Sequence, residues 1–284
     1  MDKREARKAE AAKHISLMKV AFGAETEKSI QETREYQDGE GRALEVPEPR
    51  FETTQTDVFT YLLPQVARQA KGQVAVVDPA AFTRPGGAYE DGSFGPEQQL
   101  CAESNLYPIL RAFSKTYYET NRQERRGGLL SGHALYIPGV KFVRNGEIRE
   151  AGVVVIAAPN RTRALEANRS EKECASDMKD RVETLLRVAA ANGADSLVVN
   201  GFGCGVDGYD PTEVAGLFRD WIDEHPGVFE RVLFSTRRGA EYDAFAVRFA
   251  QPAAKEPAEA ADRDDGEEDV LDGIELPEGV TLRR

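Results

Sequence analysis

Val74-Ala75-Val76-Val77, followed by Asp78, leads within a few residues to Arg84-Pro85-Gly86-Gly87-Ala88 and then to Pro96-Glu97-Gln98. A short apolar and β-branched run of this kind is typical of a strand buried on both faces. The glycines allow the backbone N–H groups to approach a phosphate closely. A helix is predicted to begin near Glu97, which places a carboxylate beside the turn. The stretch therefore predicts a nucleotide-sugar site at the end of a buried strand.

The same order of a buried strand and a glycine-rich or asparagine-containing loop recurs further along the chain. Residues 153–158 form an apolar run that ends at Pro159-Asn160, and residues 196–200 run directly into Gly201-Phe202-Gly203-Cys204-Gly205-Val206. We call residues 80–95 the first glycine loop and residues 201–209 the second glycine loop. Ligands of such sheets bind at the carboxyl ends of strands, so two backbone N–H cradles at neighbouring strand ends are expected to hold one diphosphate.

Helical patterns separate these strands. Ser170 and Glu173 form a capping box before a helix that ends at Gly193, and Pro211 marks the first turn of another. Thr56-Asp57 predicts the cap of a helix that Pro64 kinks or splits. Further strands are predicted at residues 232–235 and 244–247. The alternation predicts an α/β fold: a three-layer α/β/α sandwich around a mixed sheet, with an N-terminal helical extension.

Composition excludes several classes of function. The net charge of −12 and the isoelectric point near 5.0 make non-specific nucleic-acid binding unfavourable, because such binding needs a dense cationic surface. There is no apolar run of about 18 residues and no signal-peptide pattern, so we expect a cytoplasmic protein without a membrane span. The three cysteines and three histidines are scattered, which supports neither a disulfide framework nor a metal site, and no cofactor is expected.

The chain is predicted to have three parts. Residues 1–50 form an N-terminal helical extension, and residues 51–250 form the main domain. Residues 251–284 contain eleven Asp or Glu against four Lys or Arg, which predicts a disordered acidic tail.

Several motifs in order resemble the signature of microbial-type poly(ADP-ribose) glycohydrolases, a branch of the macrodomain fold. The similarity spans about residues 15 to 248. It rests on Asp78, Arg84-Pro85-Gly86-Gly87-Ala88, Glu97-Gln98, Leu100-Cys101, Leu106-Tyr107-Pro108, residues 134–140, Ala158-Pro159-Asn160, Gly203-Cys204-Gly205-Val206 and Asp210-Pro211. The resemblance implies a macrodomain-like sandwich that binds ADP-ribose between these loops and cleaves a glycosidic bond at the distal ribose.

The chain departs from the family pattern at its catalytic motif, Gln-Glu-Glu after three glycines. Aligned on Leu100-Cys101, the first glutamate is Glu97, to which the resemblance gives a role in orienting the ribose. The second glutamate, the family's acid, is replaced by Gln98, and the third glycine is Ala88. Asp207 and Tyr209 stand where the family usually has phenylalanine and asparagine.

The glutamine matters because glycosidic cleavage needs a group that gives a proton to the leaving atom, and general acid catalysis contributes about 10² to 10⁴ in rate. Glutamine has no titratable proton. The predicted catalytic positions are Glu97 and Gln98, and the predicted ligand-binding residues are Asp78, Pro85, Gly86, Gly87, Ala88, Asn160, Gly203, Cys204, Gly205, Val206, Asp207 and Tyr209.

Three hypotheses remain open at this point. The chain is an ADP-ribose-recognising domain that binds ADP-ribose or ADP-ribosylated partners with weak or altered hydrolase activity, or a fully active hydrolase that uses Glu97 or Asp207, or a non-enzymatic interaction scaffold. The sequence does not distinguish a polymer, a single ADP-ribose on protein and a free nucleotide as substrate. It is also silent on oligomeric state and on the role of the acidic tail.

Overall fold

The computed structural model describes residues 2–249 and contains a seven-stranded mixed sheet. The strand order is β1-β4-β5-β3-β6-β7-β2, where β1 is Arg34–Tyr36, β2 Gln55–Phe59, β3 Val74–Pro79, β4 Ala134–Arg144, β5 Glu147–Ile156, β6 Ser196–Asn200 and β7 Arg231–Ser235. The strands β5, β3, β6, β7 and β2 are parallel, whereas β4 is antiparallel to both of its neighbours. The predicted mixed sheet is confirmed.

Helices cover both faces of the sheet, as the α/β/α prediction requires. They are α1 Lys3–Ala21, α2 Gly23–Glu32, α3 Glu40–Ala43, α4 Leu63–Ala67, α5 Pro96–Ala102, α6 Leu106–Ala112, α7 Tyr117–Gln123, α8 Arg161–Glu166, α9 Glu171–Ala191, α10 Pro211–Glu224 and α11 Ala240–Phe249. None of the helices between residues 2 and 249 is long and apolar enough to cross a membrane.

The apolar side chains of the central strands alternate between two cores. Val77, Val199 and Phe234 pack with α9, α10 and α11 on one face, whereas Val76 and Val198 pack with α1, α4, α5 and α6 on the other. Because β3 has helices on both faces, its residues 74–77 are all apolar rather than alternating between apolar and polar. The strand that precedes the first glycine loop is therefore held rigidly at the centre of the molecule.

The N-terminal extension is integrated into this sandwich. Strand β1 pairs with β4 at one edge of the sheet, with Arg34 opposite Tyr136. In α1, Ala11 and Met18 are buried, and Ala11 belongs to the core that contains β3. Residues from the predicted extension thus contribute both a strand and part of the core. The acidic tail, residues 251–284, lies outside the described residues.

Two of the predicted elements are wrong. The segment 244–247 belongs to helix α11, since Phe245 and Phe249 lie one turn apart and both pack on Phe234. The predicted helix from Thr56 begins instead as strand β2, which pairs with β7, and Pro64 starts α4 rather than kinking a longer helix. In both places the packing partner on β7 decides the local structure, and the sequence pattern alone does not identify it.

Candidate functional site

Both glycine loops begin at the carboxyl ends of strands, on the same side of the sheet. They follow β3 and β6, which are parallel neighbours with Val76 opposite Val198, so the carboxyl ends of the two strands lie side by side. The loop that contains Asn160 follows β5, the other neighbour of β3. The predicted site residues are therefore carried by three adjacent strand ends.

The first glycine loop turns through three consecutive left-handed residues. The φ angles of Gly86, Gly87 and Ala88 are 66°, 53° and 70°. A left-handed conformation is ordinary for glycine, but it costs about 1 kcal/mol or more for alanine. Ala88 therefore has a backbone conformation that favours glycine, at some cost in stability. The turn continues as a 3₁₀ segment to Asp91 and closes at Gly92.

The carboxyl group of Glu97 lies inside this loop. Its Oε2 accepts a hydrogen bond from the N–H of Ala81 at 2.9 Å and lies 2.5 Å from the point that a β-carbon on Gly87 would occupy. Its Oε1 is buried without a partner among the described residues. Burial and the nearby Asp78 carboxyl raise the pKa of Glu97 well above its ordinary value, against the opposing effect of the loop N–H groups. Burial of the Glu97 carboxyl under the loop thus favours its protonated form.

Gln98 lies on the outer side of the same turn and is only partly buried. Its Nε2 donates to the carbonyl oxygens of Gly86 at 3.0 Å and Gly87 at 3.2 Å. The amide of Gln98 therefore ties helix α5 to the glycine turn. Although Glu97 and Gln98 are about 100° apart around the helix, both side chains reach Gly87.

Asp78 lies below the loop at the end of β3 and has no exposed surface. Neither of its carboxylate oxygens has a hydrogen-bond partner among residues 2–249. Burial raises the pKa of Asp78 to about 8. In this conformation the side chain of Asp78 does not reach the surface.

Helix α1 packs directly on the first glycine loop. Arg4 and Arg7 donate through Nε to the carbonyl oxygens of Asp91 at 3.0 Å and Gly92 at 2.9 Å. A β-carbon on Gly92 would collide with the backbone of α1. This contact could not be predicted from the sequence, because the partners are more than eighty residues apart and no periodic pattern connects them.

Gly203, Gly205 and Gly208 give the second glycine loop its shape, with φ angles of 76°, 74° and 85°. The N–H groups of Gly203 and Gly205 have no carbonyl partner within the described part of the chain, which leaves them available to a ligand. Val206 is exposed at the tip of the loop, next to these amides.

Two other members of the predicted set are core residues. Tyr209 is buried and its hydroxyl donates to the carbonyl oxygen of Cys174 at 3.1 Å, so we assign it no ligand contact. The Cys204 thiol is buried, and burial raises its pKa to about 12, which leaves it neutral and unreactive as a nucleophile.

Asp207 and Asn160 are in contact, although their loops follow β6 and β5, the two strands that flank β3. The Asn160 side chain caps α8 through Oδ1, which accepts from the N–H of Arg163, and its Nδ2 donates to Asp207 Oδ1 at 3.0 Å. Burial raises the pKa of Asp207 to about 6, against the effect of the Asn160 hydrogen bond. Asp207 is therefore a partly exposed carboxyl at a strand end that changes its protonation near neutral pH.

Two other kinds of site, metal clusters and cavities, can be compared with the strand ends. Within the described residues, no cluster of three or more His, Cys, Asp or Glu side chains is placed to hold a metal ion. One cavity of about 410 Å³ opens near the amino end of β3, beside Val74 and Ala151. None of the predicted site residues lines it. We give more weight to the strand ends than to this cavity, because they carry the glycine loops and the carboxyls with raised pKa.

Comparison with known proteins gives one consistent family. The model of the microbial-type PARG catalytic domain matches residues 5–145, about half of the chain. The structure is similar to that of poly(ADP-ribose) glycohydrolase from Thermomonospora curvata, with 28% identity, 87% of this chain and 100% of that chain covered, and a TM-score of 0.76. The structure of the T. curvata enzyme bound to the inhibitor ADP-HPD gives 29% identity, the same coverage and a TM-score of 0.75.

A second bacterial enzyme gives the same result. The poly(ADP-ribose) glycohydrolase from Deinococcus radiodurans, in complex with ADP-ribose, is 28% identical, with 78% of this chain and 96% of that chain covered and a TM-score of 0.70. No curated protein sequence matches the chain.

Proposed function

We propose a function from the premise that this chain belongs to the microbial-type poly(ADP-ribose) glycohydrolase family: it binds ADP-ribose, free or attached to protein, between the two glycine loops and hydrolyses the glycosidic bond weakly. Binding is supported by the two left-handed glycine turns on adjacent strand ends. The N–H groups of Gly203 and Gly205, which have no carbonyl partner within the described residues, can donate hydrogen bonds to phosphate oxygens without a lysine.

Weak hydrolysis is supported by one observation, the pair of hydrogen bonds that Gln98 donates to Gly86 and Gly87. The sequence motif assigns Gln98 to the position of the family's acid, and its side chain has no proton to give and its amide is engaged with the loop. Glu97, the neighbouring carboxyl, is 3% exposed and is turned into the loop interior, where it bonds to Ala81. We therefore assign Glu97 a role in shaping the loop and orienting the ribose.

Two measurements on the wild-type chain test this function. Isothermal titration calorimetry with ADP-ribose should give saturable binding at one site per chain, because the second glycine loop presents free N–H groups to the diphosphate. Release of ADP-ribose from a modified protein should be at least about a hundredfold slower than that by a relative with glutamate at the position of Gln98. Absence of binding would contradict the proposal and favour the scaffold hypothesis, whereas turnover equal to the relative's would contradict weak hydrolysis.

A second candidate, full hydrolase activity, is favoured by one observation on Asp207. Its carboxyl has a pKa of about 6, is bonded to Asn160 and lies on the loop that offers free N–H groups. A carboxylic acid that is partly protonated near neutral pH is suited to give a proton to a leaving oxygen. This alternative assigns the acid to the second glycine loop instead of helix α5.

Asp207→Asn decides between these two assignments. If Asp207 is the acid, the wild-type rate should fall about thirtyfold from pH 5 to pH 7.5, since only the protonated form is active and its fraction falls as pH rises through about 6. The Asp207→Asn variant should then lose nearly all turnover while it still binds ADP-ribose. Glu213→Gln, which removes an exposed acid from the first turn of α10, is the matched control and should change neither quantity. Unchanged turnover in Asp207→Asn would exclude the acid role.

A further inference from the structure

Arg237 lies over the second glycine loop, although it comes from the loop that follows β7. Its guanidinium carbon and Nη1 are each 2.9 Å from the point that a β-carbon on Gly205 would occupy. Gly205 has a φ angle of 74°, and the missing side chain leaves the space in which the guanidinium group rests. Strand β7 is the parallel neighbour of β6, which explains how the two loops meet.

The position of Arg237 is fixed by a buried carboxylate. Glu241, in the first turn of α11, accepts from the backbone N–H of Arg237 at 3.0 Å and from its Nε at 2.8 Å. The side chain of Glu241 is almost fully buried and fills the space above Gly201, where a β-carbon would collide with it. Glu241 therefore anchors one side of the guanidinium group against the second glycine loop.

The other side of the guanidinium group faces outward. Arg237 is 68% exposed as a side chain, and Nη1 has no acceptor among residues 2–249. Two other arginines near the strand ends use their outer N–H groups on protein partners: Arg84 on Asp91, and Arg161 on Glu171 and the carbonyl of Gly208. Arg237 is thus a positioned cation with a free donor edge beside the free N–H group of Gly205.

We propose that Arg237 binds the diphosphate of the ligand together with the N–H groups of the second glycine loop, and so supplies the positive charge of the anion site. The inference rests on the proposed function and deepens it. A guanidinium group offers paired N–H donors that match phosphate oxygens, and anchoring by Glu241 reduces the conformational entropy lost on binding. In a chain with a net charge of −12, a local cation also offsets part of the repulsion of an anionic ligand.

Calorimetric titration of the full chain with ADP-ribose tests the inference. Arg237→Gln should weaken binding about tenfold, because it removes the charge and the outer donors while it retains a polar side chain. Arg237→Lys should recover part of the loss. Binding by the wild-type chain should also weaken more between 50 and 300 mM NaCl than binding by Arg237→Gln, since the variant lacks the screened charge.

Arg238→Gln is the matched control, since Arg238 is the next residue, is exposed, and carries the same charge. It should stay within about twofold of the wild-type affinity. The melting temperature of each variant shows whether it is folded, so that a loss of affinity caused by unfolding is recognised. Equal affinity and equal salt dependence in Arg237→Gln and the wild-type chain would overturn the inference and leave the proposed function intact. A wild-type chain that binds no ADP-ribose would overturn both.

Discussion

Glutamate in place of Gln98 is expected to raise the rate of ADP-ribose release by about 10²- to 10⁴-fold, the usual contribution of a general acid. In the wild-type structure the side-chain amide donates to the carbonyl oxygens of Gly86 and Gly87. A glutamate in the same place would face those two acceptors, which favour its protonated form and raise its pKa. The substitution therefore supplies a carboxylic acid that keeps its proton near neutral pH. Turnover of an ADP-ribosylated protein is the measurement.

Two control variants test whether the position of the carboxyl group matters. Gln99→Glu adds a carboxyl group one residue further along α5, and Gln98→Met keeps the length of the side chain without a proton to give. Neither should gain turnover. If Gln98→Glu folds and binds ADP-ribose but remains as slow as the wild-type chain, the missing acid is not at this position and the assignment of Gln98 is wrong.

Asp78→Asn is expected to stabilise the folded chain, and by more at high pH than at low pH. The pKa of Asp78 rises from an ordinary 3.8 to about 8 on folding, because the carboxyl is buried without hydrogen-bond partners. Below pH 3.8 the group is protonated in both states and has no effect. As pH rises from 3.8 towards 8, the unfolded chain ionises first, and stability is lost progressively. Asparagine removes this loss, since it does not ionise.

Urea unfolding at pH 5 and pH 7.5 measures the effect. The stabilisation by Asp78→Asn should be about 2 kcal/mol larger at pH 7.5 than at pH 5. This value lies below the limit of about 1.36 kcal/mol per pKa unit, because the nearby Glu97 carboxyl also affects the ionisation of Asp78. Asp223→Asn, at an exposed carboxylate paired with Arg219, should change stability by less than about 1 kcal/mol at either pH. An equal effect of Asp78→Asn at both pH values would show that Asp78 does not carry the raised pKa.

The central part of the fold could be predicted because its signals are local. The apolar run at residues 74–77 is a strand with helices on both faces, and the Ser170 and Glu173 capping box starts α9. Asp210 caps α10 with Pro211 in its first turn, as expected. In these places residue preference, capping and burial all favour the same structure.

Elements that depend on distant partners could not be predicted in the same way. Val58 and Phe59 fit a helical pattern, but pairing with β7 makes them a strand. The alternation of small and large residues at 244–247 suggests a strand, yet Phe245 packs on Phe234 from a helix. Both errors arise because β7 supplies the partner, and its position in the sheet is not encoded nearby in sequence.

In the candidate site too, local features could be predicted from the sequence and contacts between distant segments could not. The glycine turns and Glu97 follow from a local motif, whereas burial of Asp78 and the placement of Arg237 over Gly205 depend on how separate strand ends come together. A sequence motif identifies the backbone that can approach a phosphate. It does not identify a cation delivered by another loop, because nothing in the spacing of Arg237 distinguishes it from Arg238.

The contacts of Arg4 and Arg7 with the first glycine loop have a consequence for how the protein acquires its activity. The carbonyls that these arginines hold lie 87 and 85 residues further along the chain. Closing a segment of that length is entropically unfavourable and must be offset by packing that forms elsewhere. Competence to recognise a ligand should thus be acquired late during folding, after the opening helix has docked, and alterations at the start of the chain should impair it even though they lie outside every sequence motif of the family.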